Sequence, residues 1–175
     1  MNFTPRETAP ESDNLYYIKT THGGYNKCIV IDPVTGSVLP NCTGYAWGRV
    51  NEITGVQPTL SRGDAQNWYY HTEDGYERGI IPYLGAVICF QDITDPNNGH
   101  VAVVEKINSD NSILVSESGY QAYYFRNRTL YPPYSYTNRQ FQGFIYACGK
   151  NGGITMKKNR FNWVLFSNQA KSRKK

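Results

Sequence analysis

The stretch GHVAVVEKINSDNSILVSESGY, residues 99–120, decides how this chain folds. Two runs rich in Val and Ile, residues 101–107 and 112–116, flank Asn108, Ser109, Asp110 and Asn111, whose short polar side chains favour a turn. Such runs on either side of a turn pair as an antiparallel hairpin. If Ile107 lies opposite Asp110, the register continues until His100 faces Glu117; a register displaced by two leaves them diagonal neighbours, still within reach of long side chains. His100 opens an otherwise apolar strand just after Gly99, a small residue that leaves room for something to approach. A titratable ring there is a candidate general base, and a lone histidine in the same place can equally be structural. The Glu117 carboxylate would accept a hydrogen bond from one imidazole nitrogen and leave the other free.

Toward the N-terminus, LPNCTGYAWGRVNEITG (39–55) places Tyr45, Trp47, Val50 and Ile53 at roughly helical spacing. The spacing predicts a helix starting at or just before Cys42, with Asn41 as N-cap and Gly55 as its stop. Gly44 and Gly48 weaken it but permit close packing. A thiol at a helix start meets free N–H groups and the positive end of the dipole, which favour thiolate. Those N–H groups could also receive an oxyanion. Taken alone, Cys42 is as consistent with an inert buried thiol as with a nucleophile. A second helix is expected over 61–70, capped by Ser61 with Asp64 in its first turn, and further strands over 15–20, 28–31, 86–90 and 144–148. Helices followed by an antiparallel meander define an α+β domain. Trp47, Trp68 and Tyr120 are candidate groove walls, although tryptophans at helical spacing also answer as core.

With 175 residues the chain suits one domain: a polar arm (1–14), a domain (15–150) and an extension with a basic tail (151–175). Aromatic residues make up 14%, with 15 tyrosines, which suits a wet surface for carbohydrate or peptide contact. The net charge of +4 gathers at Lys157, Lys158, Arg160, Lys171, Arg173, Lys174 and Lys175, a solvated tail with no nucleic-acid motif upstream. Residues 1–14 lack the basic start and apolar stretch of a secretory signal, so synthesis in a cytoplasm is expected. No apolar run approaches the roughly 20 residues that cross a bilayer, so no membrane anchor is expected. Cys28, Cys42, Cys89 and Cys148 form no CxxC pair, and Asp92, Asp95 and Asn97 read as a turn. Neither metal nor cofactor is expected, and the chain reads as a monomer.

Three stretches, LPNCTGYAWGRV, DGYERGIIPYLGAVICF and GHVAVVEKINSDNSILVSESGY, together resemble the cysteine, histidine-dependent amidohydrolase/peptidase (CHAP) family found in phage and prophage lysins of Gram-positive bacteria. The resemblance covers roughly residues 16–148. It implies a papain-like α+β fold with Cys42 as nucleophile, His100 as base and Glu117 as the residue that orients it. It also implies cleavage of an amide in peptidoglycan, within the stem peptide or cross-bridge or between peptide and sugar, either at lysis from inside or at entry from a virion. Many relatives carry Gln where this chain has Asn41, which bears on its part in an oxyanion hole. Many also place a further polar partner just after the Glu; Glu117-Ser118-Gly119 leaves that role vacant or filled from elsewhere. Two other classes stay open: a wall-binding or virion structural protein on the same fold without catalysis, and a cysteine peptidase acting on protein.

Overall fold

The computed structural model describes residues 3–11, 13–17, 30–31, 38–39, 41–119 and 125–150. Among these, one α-helix, α1 (Cys42–Thr54), and short 3-10 turns at Ala65–Tyr70 and Thr72–Asp74 accompany a sheet of six antiparallel strands. A separate ribbon pairs β1 (Val30–Ile31) with β2 (Val38–Leu39). The large sheet comprises β3 (Arg78–Gly79), β4 (Val87–Asp92), β5 (Gly99–Ile107), β6 (Ile113–Ser118), β7 (Phe125–Leu130) and β8 (Arg139–Ile145), in the order β3-β8-β4-β5-β6-β7. No helix among the described residues is long and apolar enough to cross a membrane.

α1 follows its local signals closely. Asn41 Oδ1 accepts the Gly44 N–H at 2.9 Å, and Gly55, at φ 70°, takes the left-handed conformation that ends the helix and donates to Asn51 O. Ala46, Trp47 and Val50 pack on Val87, Cys89, Val101 and Val103 of the sheet. Ile88, Phe90, Ala102, Val104, Ile113, Val115 and Phe144 fill its other face, with Tyr134 closing over them. Strands covered on both faces explain why β4 and β5 read as continuous apolar runs rather than alternating ones. Each large apolar side chain buried this way contributes about 1.5–3 kcal/mol.

The N-terminal segment seats on the outer side of α1. A Cβ on Gly48 would lie 2.3 Å from the Tyr17 ring, so the close packing that a small residue permits is used by the arm. Arg6 pairs with Glu52, Asn14 Nδ2 donates to Glu52 at 3.0 Å and Asn51 Nδ2 donates to Tyr16 O at 2.9 Å.

Several sequence expectations are corrected. The second helix is only a 3-10 turn over Ala65–Tyr70, because Ser61 Oγ is spent on the Gly63 N–H and the Asp64 side chain makes no capping bond. Residues 15–17 form a turn with Leu15 at the surface, and residues 18–20 lie outside the described residues, as do Cys28 and the tail 151–175. The last strand begins earlier and ends at Ile145, before a turn through residues 147–148. β2, β3 and β7 have no counterpart among the strands expected from the sequence.

The hairpin register differs from Ile107 opposite Asp110. Asp110 Oδ1 accepts from the Ser112 N–H and hydroxyl, Asn111 adopts φ 65°, and Asn108 N–H closes the loop on Ser112 O, which lengthens the connection. Ile107 therefore pairs with Ile113. A bulge at Glu105 then returns one residue, so Val104 faces Val115 and Val103 faces Ser116. The net displacement is two residues, which preserves the face on which each side chain lies. Without the bulge, Glu117 would point away from the face that His100 occupies.

Candidate active site

Three elements converge at one end of the sheet. α1 begins with Cys42, β5 begins with Gly99 and His100, and β6 ends with Glu117 and Ser118. Gly99 is required by a close approach: a Cβ there would lie 2.3 Å from the Gln66 backbone nitrogen, so the 3-10 turn packs directly against the root of the histidine. The His100 ring stacks on Phe90, 6.3 Å between centroids and 25° between planes, and is 6% exposed. Its Nε2 lies 2.7 Å from Glu117 Oε2. Nδ1 is then the nitrogen free for the thiol, and His100 is the group that acts most strongly on Cys42 after burial.

The electrostatics of the three groups interlock. Burial pushes the Cys42 thiol up, but the hydrogen bond and charge of His100, with N–H groups of Val101 and Thr43, outweigh it and leave the thiol below its ordinary value. Burial pushes His100 down, yet bonding to Cys42 and Glu117 prevails and lifts it to about 9. Glu117, fully buried, is pushed up by burial and brought below the ordinary carboxylate range by His100 and then Arg126. The arrangement favours thiolate beside imidazolium at neutral pH. Cys89 and Cys148 have no such help: burial raises both thiols, Cys148 to about 12.

The structure thus gathers Cys42, His100 and Glu117. Asn41 stands beside them as the helix cap, with Oδ1 taken by the Gly44 N–H and the Thr43 hydroxyl at 3.0 Å. Trp47 is not brought to the site: it is 5% exposed in the core, with Nε1 donating to Pro58 O at 3.0 Å, which leaves it no face for a ligand. Trp68 is likewise core and donates to Gly63 O. Tyr120 lies outside the described residues. His71 ends the 3-10 turn, its backbone N–H donating to Asn67 O and Trp68 O. Asp92 and Asp95 are occupied with turn bonds to Thr94, Asp95 and Asn97. Sequence reasoning missed Arg126 and Arg128, both bonded to Glu117. Their alternation in FRNRTL was a strand signal, obscured by its polar residues.

A thiol at a helix start, a histidine opening a long strand and a buried carboxylate bonded to that histidine thus lie together at one end of the sheet. The CHAP domain family model matches residues 32–119, just over half of the chain, and the chain belongs to that family. Among similar proteins, an N-acetylmuramoyl-L-alanine amidase domain-containing protein of Staphylococcus aureus is 38% identical over 81 residues, 44% of this chain and 13% of its own length. A probable autolysin, LDP, of the same species is 36% identical over 98 residues, 55% of this chain and 34% of its own. A crystal structure of an N-acetylmuramoyl-L-alanine amidase from S. aureus superposes with a TM-score of 0.49 at 28% identity, covering 66% of this chain and 33% of that one. The chain therefore spans about a third or less of these relatives.

Proposed function

We propose that this chain is a peptidoglycan hydrolase of the lysin type, on a papain-like α+β scaffold, that cleaves an amide bond of the Gram-positive wall through Cys42, His100 and Glu117. The observation that carries the reading is the linked chain from thiol to imidazole to buried carboxylate, in which the thiol is lowered and the imidazole raised. The choice of wall as substrate is supported by the family and by relatives described as an amidase-domain protein and an autolysin.

The Cys42 thiolate attacks the amide carbonyl carbon, and the resulting oxyanion is received by backbone N–H groups at the start of α1. His100 gives its proton to the leaving amine, which departs and leaves a thioester on Cys42. Neutral His100 then takes a proton from water as that water attacks the thioester, releasing the acyl fragment as an acid and restoring thiolate and imidazolium. Glu117 keeps the ring oriented and its charged form favoured throughout. No step requires a metal. Purified walls incubated with the chain should release new amino groups, and mass analysis of the released muropeptides separates an amidase, which frees the peptide from the sugar, from an endopeptidase. Sedimentation with walls without any release would sink the catalytic reading in favour of a binding role.

A further inference from the structure

Glu117 is held on both of its oxygens. Oε2 accepts from His100, while Oε1 accepts from two arginines of β7: Arg126 Nε, and Arg128 Nε at 3.2 Å. Arg126 is the direct cross-strand partner of Glu117, and Arg128 follows two residues along on the same face of the ladder. The Arg128 guanidinium also lies over the Tyr136 ring, 4.3 Å from its centre, so that arginine is braced on its far side. The Glu117 side chain has no exposed surface, whereas those of Arg126 and Arg128 are 46% and 25% exposed. Solvent reaches the cations and not the anion.

A buried carboxylate facing one imidazole has two ways to fail as an orienting group. It can rotate away, or it can take up the proton and become neutral, since burial penalises its charge. Two Nε–H donors on Oε1 oppose both: they pin the plane of the carboxylate, which keeps Oε2 aimed at Nε2, and their charges favour the ionised form. We propose that Arg126 and Arg128 are positioning residues that clamp Glu117 as an anion against His100 and whose positive charge lowers the pH at which Cys42 becomes a thiolate. The proposal rests on the thiolate mechanism above. Among the described residues, the titratable and charged groups that face Glu117 are His100 from β5, Arg126 and Arg128 from β7, and, through His100, Cys42 at the start of α1.

The sign of the effect is fixed by electrostatics. At the acid limb His100 is protonated whether or not Cys42 is, so the charge beside the site decides: removing the two cations raises the proton affinity of the Cys42 thiol, and of Glu117 with it, and moves the acid limb of thiol reactivity upward.

The test is the pH dependence of Cys42 alkylation by iodoacetamide, with the modified residue assigned by peptide mass, in the wild-type chain and in Arg126→Gln, Arg128→Gln, the double variant and Arg126→Lys. In the double variant the acid limb should move up by roughly half a pH unit to one unit. Arg126→Lys should keep the limb nearer its wild-type position than Arg126→Gln does. Should the double variant fail to fold, the Arg126→Gln variant, altered at a side chain nearly half exposed, carries the same test with about half the displacement. A limb that stays in place, or a rate that falls equally at every pH, overturns the clamp while leaving the thiolate mechanism standing. A wild-type Cys42 that alkylates at neutral pH no faster than an ordinary thiol overturns both.

Discussion

The same pair of strands carries two buried carboxylates with arginine partners, and only one of them touches the candidate site. Glu117 on β6 is bound to His100, Arg126 and Arg128. Glu105, in the bulge of β5, accepts two bonds from Arg49 at 2.9 and 2.8 Å, one from Ser116 Oγ at 2.6 Å and one from the Arg6 backbone N–H at 2.9 Å. Tyr45 OH extends that network to Ser116 at 2.7 Å, and Glu52 extends it to Arg49 at 2.7 Å. Both glutamates have no exposed surface. Every partner of Glu105 keeps one charge state at neutral pH, since its bond to Glu105 raises Arg49 further despite burial. Glu117 instead borders His100, which is lifted to about 9, and through it Cys42, which is lowered. Buried charge by itself therefore marks packing, and a buried charge leaning on a titrating pair marks chemistry. The Glu105 cluster fastens the arm, α1 and the hairpin together, which holds the thiol and the imidazole in register from behind.

The largest separation between the two clusters is expected in activity. Cys42→Ala should reduce release of amino groups from walls by at least about a thousandfold, as should His100→Ala, because members of such a unit fail together. Thermal unfolding of Cys42→Ala should stay close to wild type, since a half-buried thiol leaves little void. Retained lysis by a folded Cys42→Ala chain would end the mechanism.

The Glu105 cluster should respond in the opposite way. Glu105→Ala takes from buried Arg49 one of its two anions, leaving Glu52, and should cost about 3 kcal/mol in a denaturant titration. Cys42 alkylation in the fraction that remains folded should keep its wild-type pH profile. A variant equally stable but slower at the thiol would erase the distinction drawn between the clusters.

How much of this could be read from the chain depends on how local each signal is. α1 was legible almost to the residue because Asn41 and Gly55 act within one turn of its ends. The grouping of the candidate site residues was legible because Cys42 sits at that helix start and because a hairpin displaced by two residues still leaves His100 and Glu117 on one face. The register itself was not legible: it depends on the Asp110 side chain bonding Ser112 and on a bulge at Glu105, whose side chain meets the distant Arg49. β7 was missed because Arg126, Asn127 and Arg128 look like loop residues until Glu117 lies beside them. Trp47 illustrates the converse, since helical spacing pointed to core and the structure places it there.

A pH profile sharpens the contrast further. His100 stands at about 9 in the folded chain, above the ordinary histidine value of 6.5. Its contribution to stability is complete below 6.5 and is lost as pH rises through 9. Cys42 is lowered, so its contribution is complete above the ordinary thiol value and is lost as pH falls through the lowered one. Turnover should accordingly decline as pH rises through 9. In Glu117→Gln that alkaline limb should move down by about one unit, because the carboxylate is one of the groups that lifts His100. The stability loss in Glu105→Gln should come without any movement of the limb. A Glu117→Gln profile identical to wild type would mean that the carboxylate does not act through the histidine.

The smallest expected effect concerns Asn41, which stands next to the reacting thiol and yet behaves as part of the scaffold. Its Oδ1 already accepts from the Gly44 N–H and the Thr43 hydroxyl. Removing that acceptor in Asn41→Ala should cost about 1 kcal/mol of stability, the ordinary worth of an N-cap, and loosen the first turn that carries Cys42. Serine caps a helix nearly as well but brings no amide donor. If Asn41 only caps, Asn41→Ser restores both the melting temperature and turnover to near wild type. If instead its Nδ2 helps receive the oxyanion, Asn41→Ser restores the melting temperature while turnover stays low, by a hundredfold or so as for loss of one oxyanion donor. The occupied Oδ1 favours the first outcome, because a side chain pinned across the helix start has little freedom to turn its amide toward a substrate.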